Sequence, residues 1–399
     1  MSALPMRAAV VRCTFILHLL VPSVLLASLC PVNVTVAADP SPELDTAPRA
    51  NHAIRVLIGP TAPIPRQVRG KAGKKAGVPT GPLNTPFAMD FDPEGRMVIV
   101  EYEGGRVLRM DPDAENPEIT LEVLAGPRKH DADDAIGGTD GNASSARFNK
   151  LHNVVVDADG TMYFSDHLNH RIRRLKNGRV HTFAGSEKSG SAVQVTSRAD
   201  ARFNRPIFLS LDSPNQRLLL ADINNRSIRA ISLREDSVTT LAGNGKRGVP
   251  KDGAVAKNSP LFDPRAVYAT AGGSIYVLER GGHALRRIDA DGRIQTVAGD
   301  GVAGLRDGIG TASRMDGPKF LSACGDGRLL IADDNNHAIR IFDPKNDQLI
   351  TVDLGEFRLR RPHGAMARNG VLYIADSWNH RVLAMPLPPR RVPAESESR

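Results

Sequence analysis

The amino-acid sequence predicts an all-β protein in which one four-stranded unit is repeated along the chain. The 399 residues include 36 glycines and 28 prolines, a turn-rich composition that favours many short strands over long helices. The same order of apolar segments and turns returns six times between Leu83 and Pro388. The net charge of +8 is spread along the whole chain, which argues against a coiled coil, collagen or wholesale disorder.

Each unit begins with two apolar segments. The first is a predicted innermost strand, and the six copies start at Pro86, Leu151, Pro206, Pro264, Pro318 and Pro362. The second segment ends in an acidic residue and predicts a buried strand. Its six copies are residues 97–101, 162–166, 218–222, 275–279, 329–333 and 372–376.

Each unit then continues with two further strands. A polar turn leads into alternating apolar and basic residues, as in Asn169-His-Arg-Ile-Arg, and this period of two predicts a half-exposed third strand. A fourth strand is predicted to end in Thr-x-Ala-Gly at 182–185, 240–243 and 296–299, with looser copies at 123–126 and 352–355. Four strands in each of six units are typical of a six-bladed β-propeller.

The ring of blades is predicted to close through the beginning of the chain. An open last blade would leave backbone groups unpaired at its edge. The sixth unit lacks a Thr-x-Ala-Gly strand, whereas Arg55-Val-Leu-Ile-Gly aligns with Gln295-Thr-Val-Ala-Gly. We therefore expect residues 53–59 to form the outermost strand of the last blade, within a propeller at 53–390. A flexible linker at 39–52 and a disordered tail at 391–399 are expected to flank it.

The first 38 residues have the pattern of a signal peptide. Arg7 and Arg12 precede an apolar run at 14–29 that is short for a bilayer span, and small residues at 36–38 offer a cleavage point. We therefore expect an exported protein, periplasmic or extracellular, with no transmembrane segment in the mature chain. We also expect a monomer, and export argues against nucleic acid as a partner.

The turn after the second strand resembles the signature of the NHL-repeat family, in which Asn-His-apolar follows an Ala-Asp strand end. Asn336-His-Ala-Ile and Asn379-His-Arg-Val carry this resemblance, whereas the first unit has Glu101-Tyr-Glu-Gly-Gly instead. The resemblance implies the six-bladed propeller. We expect the recurrent acids to bind backbone N–H groups of the following turn, and the turn histidines to serve the same local need. These histidines are His170, His337 and His380.

Two other patterns are interpreted as connections between blades. Gly243-Asn-Gly-Lys-Arg-Gly and Gly299-Asp-Gly-Val-Ala-Gly match a nucleotide-binding pattern but lack its strand-helix context, so their glycines are assigned to turns. Asp131-Ala-Asp-Asp and Asp140-Gly-Asn gather oxygen ligands that could hold calcium. The spacing of an EF-hand is absent, so a solvated loop is the favoured interpretation.

A closed ring brings one equivalent position of all six blades around a common axis. The residue after the innermost-strand proline differs from blade to blade, which makes it a candidate site. The six residues are Phe87, His152, Ile207, Arg265, Lys319 and His363.

This set is similar to the channel motif of peptidyl-hydroxyglycine amidating lyases, in which histidines from alternate blades hold zinc. Pro362-His363 matches that motif, and Leu151-His152 matches with Leu in place of Pro. Arg265 stands where the third ligand would be, and a guanidinium has no lone pair with which to bind a metal. Because catalytic zinc usually keeps three protein ligands, His152 and His363 alone leave the set incomplete.

Three interpretations of the channel remain open. In the favoured one, Arg265, Lys319 and the histidines, with Phe87, bind an anionic small molecule, glycan or protein without transforming it. In the second, His152 and His363 hold zinc or calcium in a metal-dependent hydrolase, lactonase or lyase, and the cations hold its substrate. In the third, the channel holds only water. No catalytic residue is assigned, and the sequence leaves open whether the protein is an enzyme.

Overall fold

The computed structural model describes residues 54–61, 82–128, 136–191 and 195–390. Within these ranges the chain forms six antiparallel sheets of four or five strands each, the blades of a propeller. The predicted signal peptide, linker and tail lie outside the described residues, as does the acidic segment at 131–135.

The first three blades follow the strand β1 (Arg55–Ile58) along the chain. Blade 1 contains β2 (Pro86–Phe91), β3 (Met97–Glu101), β4 (Val107–Met110) and β5 (Glu122–Ala125). Blade 2 contains the short β6 (Gly141–Asn142), β7 (Leu151–Val156), β8 (Met162–Asp166), β9 (Arg171–Lys176) and β10 (Arg179–Gly185). Blade 3 contains β11 (Pro206–Asp212), β12 (Arg217–Asp222), β13 (Ser227–Ser232) and β14 (Val238–Ala242).

The last three blades repeat this order. Blade 4 contains β15 (Pro264–Ala269), β16 (Ile275–Glu279), β17 (Ala284–Ile288) and β18 (Ile294–Ala298). Blade 5 contains the short β19 (Gly308–Ile309), β20 (Phe320–Ala323), β21 (Leu329–Asp333), β22 (Ala338–Asp343) and β23 (Gln348–Thr351). Blade 6 contains β24 (Gly364–Arg368), β25 (Val371–Asp376) and β26 (Arg381–Pro386), and β1 completes it.

The helical segments are short 3-10 turns in the connections. They are Pro117–Thr120, His167–Asn169, Ser213–Asn215, Ile223–Asn225, Ala256–Asn258, Gly310–Ala312 and Ser377–Asn379. Within the described ranges, none of the helices has the length and apolar character needed to cross a membrane.

The innermost strands contact one another in a closed cycle. β2 contacts β7, and the cycle continues through β11, β15, β20 and β24 back to β2. At the outer edge of blade 6, β1 pairs antiparallel with β26 and places Val56 opposite Leu383. The side chains of Leu57 and Ile58 are buried there. The predicted closure of the ring by the N-terminal strand is therefore confirmed.

The predicted strands differ from the observed ones in blades 5 and 6. All six second strands end at the predicted acid, but β20 and β24 begin two residues after Pro318 and Pro362. The predicted end of the fourth strand at 352–355 is wrong, because β23 ends at Thr351. Val352 still donates its backbone N–H to the Ile339 carbonyl.

The prediction of a half-exposed third strand is wrong in each blade for at least one basic residue, the arginine beside the recurrent acid. These arginines are buried, and they are Arg106, Arg173, Arg229, Arg286, Arg340 and Arg381. The physical reason is the recurrent acid, which is buried beside the arginine in each blade: Arg173 Nη1 lies 2.6 Å from Asp166 Oδ2, and Arg340 Nη1 lies 2.9 Å from Asp333 Oδ2. A buried charge is tolerated when a paired charge and hydrogen bonds satisfy it.

The recurrent acids bind a different backbone group from the predicted one. Asp166 Oδ1 accepts the backbone N–H of Asn149, in the connection that precedes the innermost strand. Asp333 accepts the N–H of Asp316 in the same way. From the following turn these acids accept a side-chain amide, from Asn169 in blade 2, rather than a backbone N–H. The four recurrent aspartates therefore tie the turn of their blade to the connection that enters it.

Candidate functional site at the channel

A one-residue bulge turns the candidate channel position out of the regular strand pattern. In blades 1 to 4, the register with the second strand shifts across the residue after the first strand position. The bulged residues are Phe87, His152, Ile207 and Arg265. Bulges commonly redirect side chains beside functional sites.

Five of the six predicted channel residues meet in one group, and Ile207 is fully buried. Asp334 and Arg361 join this group through ion pairs, and we call the seven residues together the channel cluster. It consists of Phe87, His152, Arg265, Lys319, Asp334, Arg361 and His363.

Arg265 and His152 form the first pair of the channel cluster. Arg265 Nη2 lies 2.6 Å from His152 Nε2. A guanidinium can only donate, so His152 Nε2 accepts, and the neutral ring carries its hydrogen on Nδ1. Burial, and then the charge of Arg265, lowers the pKa of His152 well below its usual value. His152 is therefore a neutral imidazole.

Lys319 and His363 form the second pair. His363 Nδ1 lies 3.0 Å from the Arg361 carbonyl, which can only accept, so this nitrogen carries the hydrogen. His363 Nε2 therefore accepts a hydrogen bond from Lys319 Nζ at 2.9 Å. Burial, and then the charge of Lys319, lowers the pKa of His363 well below its usual value.

Asp334 is the carboxylate of the channel cluster and is fully buried. Its Oδ2 accepts from Lys319 Nζ at 2.8 Å and from Arg361 Nη2 at 2.6 Å. Burial raises the pKa of Asp334, but His363, Lys319 and Arg361 together lower it by more, so the group stays ionised. For Lys319, burial and then the charge of Arg265 lower the pKa to about 7.

Arg265 has no acidic partner among the described residues. Its side chain is 8% exposed, and its Nε is buried without a hydrogen-bond partner in the part of the chain that the structure describes. Burial, and then the charge of Arg280, lowers the pKa of Arg265 to about 10. The channel cluster therefore contains three cations, Arg265, Lys319 and Arg361, and one carboxylate.

Phe87 is enclosed by other rings. It stacks on Tyr102 at 4.1 Å between ring centroids and on His363 at 3.8 Å, and His152 meets its edge at 5.0 Å. A ligand could stack on Phe87 only by displacing one of these rings. Phe87 therefore forms a wall of the site.

A second position, repeated once per blade, contributes Asp334 to the cluster and was not predicted from the sequence. The residues at this position directly follow the acid at the end of each second strand, and they are Tyr102, His167, Ile223, Arg280, Asp334 and Ser377. Tyr102 stacks on Phe87, and the His167 ring lies 5.5 Å from that of His152. The signal was available, because this position also differs from blade to blade beside a repeated acid.

The two histidines predicted as metal ligands have their Nε2 atoms engaged. Their ring centroids are 6.5 Å apart, and a metal at Nε2 would have to displace Arg265 and Lys319. Within the described ranges, no group of three or more His, Cys, Asp and Glu side chains has the arrangement of a metal site. Asp140, named above as a possible calcium ligand, accepts from the side chain of Arg173 and the backbone N–H of Thr182.

Comparison with known proteins gives several curated relatives. NHL repeat-containing protein 2 of Gallus gallus is 36% identical over 117 residues, which cover 28% of this chain and 15% of that protein. The Bos taurus protein of the same name is 23% identical over 365 residues, which cover 80% of this chain and 48% of the relative. Protein SUPPRESSOR OF QUENCHING 1 of Arabidopsis thaliana is 31% identical over 189 residues, 44% of this chain and 17% of its own length.

The chain is a homologue of the NHL repeat-containing proteins. It spans less than half the length of each of these curated relatives. No protein-family model matches the sequence.

Solved structures share the fold of this NHL-repeat propeller. An auxiliary nutrient binding protein from Bacteroides ovatus has a TM-score of 0.56 at 14% identity, over 84% of this chain and 76% of that one. One from Bacteroides thetaiotaomicron has a TM-score of 0.55 at 14% identity, over 76% and 69%. At this identity the likeness shows the fold alone.

The histidines of the NHL turns join neighbouring blades, which corrects the purely local role predicted for them. Each accepts at Nδ1 the backbone N–H of a residue two positions before a channel residue of the next blade. The pairs are His170 with Arg205, His283 with Gly317, His337 with Arg361, and His380 with Thr85, at 2.9 to 3.2 Å. All four recipients have positive φ. The NHL turns therefore hold the backbone that carries the channel cluster.

Proposed function

We propose that this NHL-repeat propeller binds a small anionic ligand at the channel cluster. The observation that carries the proposal is the excess of positive charge: Lys319 and Arg361 share the carboxylate of Asp334, and Arg265 pairs with no acid among the described residues. Leaving a buried cation without an anion is costly, and a bound anion would supply the missing partner. The buried Nε of Arg265 adds a donor that a ligand oxygen would satisfy.

The chemistry of the donors favours a carboxylate or a phosphate. A guanidinium offers planar paired N–H donors that match either group, and an ammonium adds a point charge. The aromatic wall around Phe87 favours a small ligand, because Tyr102, His152 and His363 occupy its faces and edge. The nutrient-binding proteins with the same fold support a binding role at the level of architecture.

Calorimetric titration with inorganic phosphate, acetate and acetamide tests this proposal. Acetamide has nearly the shape of acetate without its charge, so we expect phosphate or acetate to bind and acetamide not to bind. Arg265→Gln should weaken anion binding by about tenfold or more, because a hydrogen bond to a charged group contributes about 1.5 to 3 kcal/mol. Arg234→Gln, at an exposed residue between β13 and β14, is the matched control. Equal affinity of wild type and Arg265→Gln for every anion would refute the proposal.

We further infer that the protein is exported and binds its ligand outside the cytoplasm. The order of basic and apolar residues in 1–38 supports this inference. Mass measurement of the protein recovered from the periplasm of a bacterial host would test it. Cleavage after residue 38 is expected, and full-length protein found only in the cytoplasm would contradict it.

A further inference from the structure

Of the three cations in the channel cluster, Lys319 is the one able to act as a nucleophile. An arginine side chain keeps its proton in proteins, whereas a lysine can lose one and then carries a reactive lone pair. The Lys319 side chain is 9% exposed, and its Nζ is held between His363 Nε2 and Asp334 Oδ2 at 2.9 and 2.8 Å. The amine is thus fixed in position at the channel rather than extended into solvent.

His363 is oriented to take the proton that Lys319 must lose. Its Nε2 lone pair faces the lysine, because its Nδ1 hydrogen points to the Arg361 carbonyl. Asp334 Oδ1 lies 3.4 Å from the same Nδ1 and would stabilise the ring once it is protonated. A base held in this way beside a nucleophile, and oriented by a third group, is the general arrangement of nucleophilic catalysis.

Arg265 adds a requirement for negative charge on the reacting molecule. It contacts His152, whose ring centroid lies 6.5 Å from that of His363, so the guanidinium and the amine flank one pair of histidines. A carboxylate bound to Arg265 would bring the rest of a small molecule towards Lys319.

We propose that Lys319 forms a reversible imine with a small carbonyl compound that carries a carboxylate next to the carbonyl group, the class of 2-oxo acids. This inference rests on the proposed function, because Arg265 is the anion-binding group in both. The proposal adds the substrate class and a covalent step at a named atom.

The step balances without any further reactant. His363 Nε2 takes a proton from the Lys319 ammonium, and the free amine attacks the carbonyl carbon. A C–N bond forms as the electron pair of the C=O π bond moves to oxygen. The nitrogen passes one proton to that oxygen, which gives the carbinolamine. Protonated His363 donates its proton to the hydroxyl group, which leaves as water, and the nitrogen then returns its last proton to His363 Nε2. The net change is amine plus ketone to imine plus water.

Reductive trapping with pyruvate and cyanoborohydride tests the proposal. Reduction makes the imine permanent, and peptide mass mapping then gives the labelling rate of each lysine. We expect pyruvate to label Lys319 about tenfold faster than exposed Lys246, because the site orients the reacting groups. Acetone, a ketone without a carboxylate, should show no such preference. Lys319→Arg keeps the charge and should abolish the fast label, whereas Lys246→Arg should leave it unchanged.

The outcomes separate this inference from the proposed function. Equal labelling of Lys319 and Lys246 by pyruvate overturns the imine, even if phosphate binding still depends on Arg265. Fast labelling that persists in Arg265→Gln overturns the role given to Arg265 in selecting the carboxylate. Thermal unfolding of Lys319→Arg and Arg265→Gln identifies a folding defect, and the comparison of pyruvate with acetone on the wild-type protein decides the question without either variant.

Discussion

At the scale of single residues, the histidines differ in the ring nitrogen that accepts a hydrogen bond. His170 and His337 accept a backbone N–H at Nδ1, whereas His152 and His363 accept from a cationic side chain at Nε2. Every one of these contacts requires a neutral ring, because a protonated imidazole has no acceptor. The NHL turns and the channel therefore both depend on uncharged histidine.

Replacing a turn histidine should loosen the contact between two blades. His170→Ala removes the acceptor for the N–H of Arg205, and we expect a loss of about 1 kcal/mol in the free energy of unfolding. Urea denaturation at about pH 7.5 measures the loss, when histidine is largely neutral. His181→Ala, at an exposed position of β10, is the control and should change little.

The loss in His170→Ala should depend on pH. Burial, and then the charge of Arg205, lowers the pKa of His170, so its contribution is fully present above the pKa of the unfolded chain. That contribution is lost as the pH falls through the lowered folded value. The difference between wild type and variant should therefore shrink between about pH 7.5 and pH 5. A difference that grows on acidification would contradict this assignment.

In five of the six blades, a glycine at the end of the fourth strand lies close to the turn between the second and third strands. Gly243 has φ +92°, and a Cβ there would lie 2.1 Å from the Arg226 carbonyl oxygen. Gly253 has φ +80° with no atom within 4 Å of the same position. Gly243→Ala should therefore cost about 2 kcal/mol more than Gly253→Ala, which carries the backbone strain alone. Equal losses of unfolding free energy would mean that the backbone conformation, not the close contact, requires glycine.

At the scale of elements, a carboxylate from the connection before the blade joins the third and fourth strands of blades 2 and 5. In blade 5, Asp307 accepts from Arg340 Nη2 and from the N–H and hydroxyl of Thr351. In blade 2, Asp140 accepts from the side chain of Arg173 and the backbone N–H of Thr182. The residue after each of these acids pairs with the fourth strand. Thr196 pairs with Val238 in the same way, so blade 3 has Val195 in place of the acid.

Val195→Asp should stabilise blade 3. The new carboxylate would lie beside Arg229 and Thr240, the equivalents of Arg340 and Thr351. We expect a gain of about 1 kcal/mol in unfolding free energy, the usual net contribution of one hydrogen bond. Val249→Asp changes another exposed valine and controls for the removal of apolar surface. Equal effects of the two substitutions in urea denaturation would show that the shared carboxylate adds no stability in this blade.

At the scale of the whole molecule, the ring depends on one four-residue strand. β1 covers the outer edge of β26, and Leu57 and Ile58 pack in a buried cluster with residues of blades 1 and 6. Without β1, blade 6 would present an unpaired edge. Closure therefore connects the stability of the last blade to residues that lie far from it in sequence.

Ile58→Asp should open the ring first at blade 6. Placing a charge at this buried position should cost about 3 kcal/mol or more, because burial of an unpaired charge adds to the lost apolar packing. Hydrogen exchange followed by mass spectrometry should show faster exchange in β26 than in β13, on the far side of the ring. Ile119→Asp, at an exposed residue, should leave exchange unchanged. Uniform acceleration across all blades would indicate cooperative unfolding rather than a local weak point.

Local pattern determined the blades, and long-range contact decided the site. Periods of two, the recurrent acids and the Thr-x-Ala-Gly ends predicted six four-stranded units, because strand pairing within a blade joins neighbours in sequence. Arg55-Val-Leu-Ile-Gly predicted closure because it repeats the missing strand. The alignment of the repeats also placed Arg265, Lys319, His152, His363 and Phe87 at one equivalent position of their units. Only the folded ring gave Arg173 and Arg340 buried acids, directed the turn histidines to the next blade, and added Asp334 and Tyr102 to the cluster. The arginine–acid pairs join neighbouring strands of one blade, whereas the contacts of the turn histidines and of Asp334 with Arg361 join different blades. In both cases position in space, not spacing along the chain, sets which groups meet.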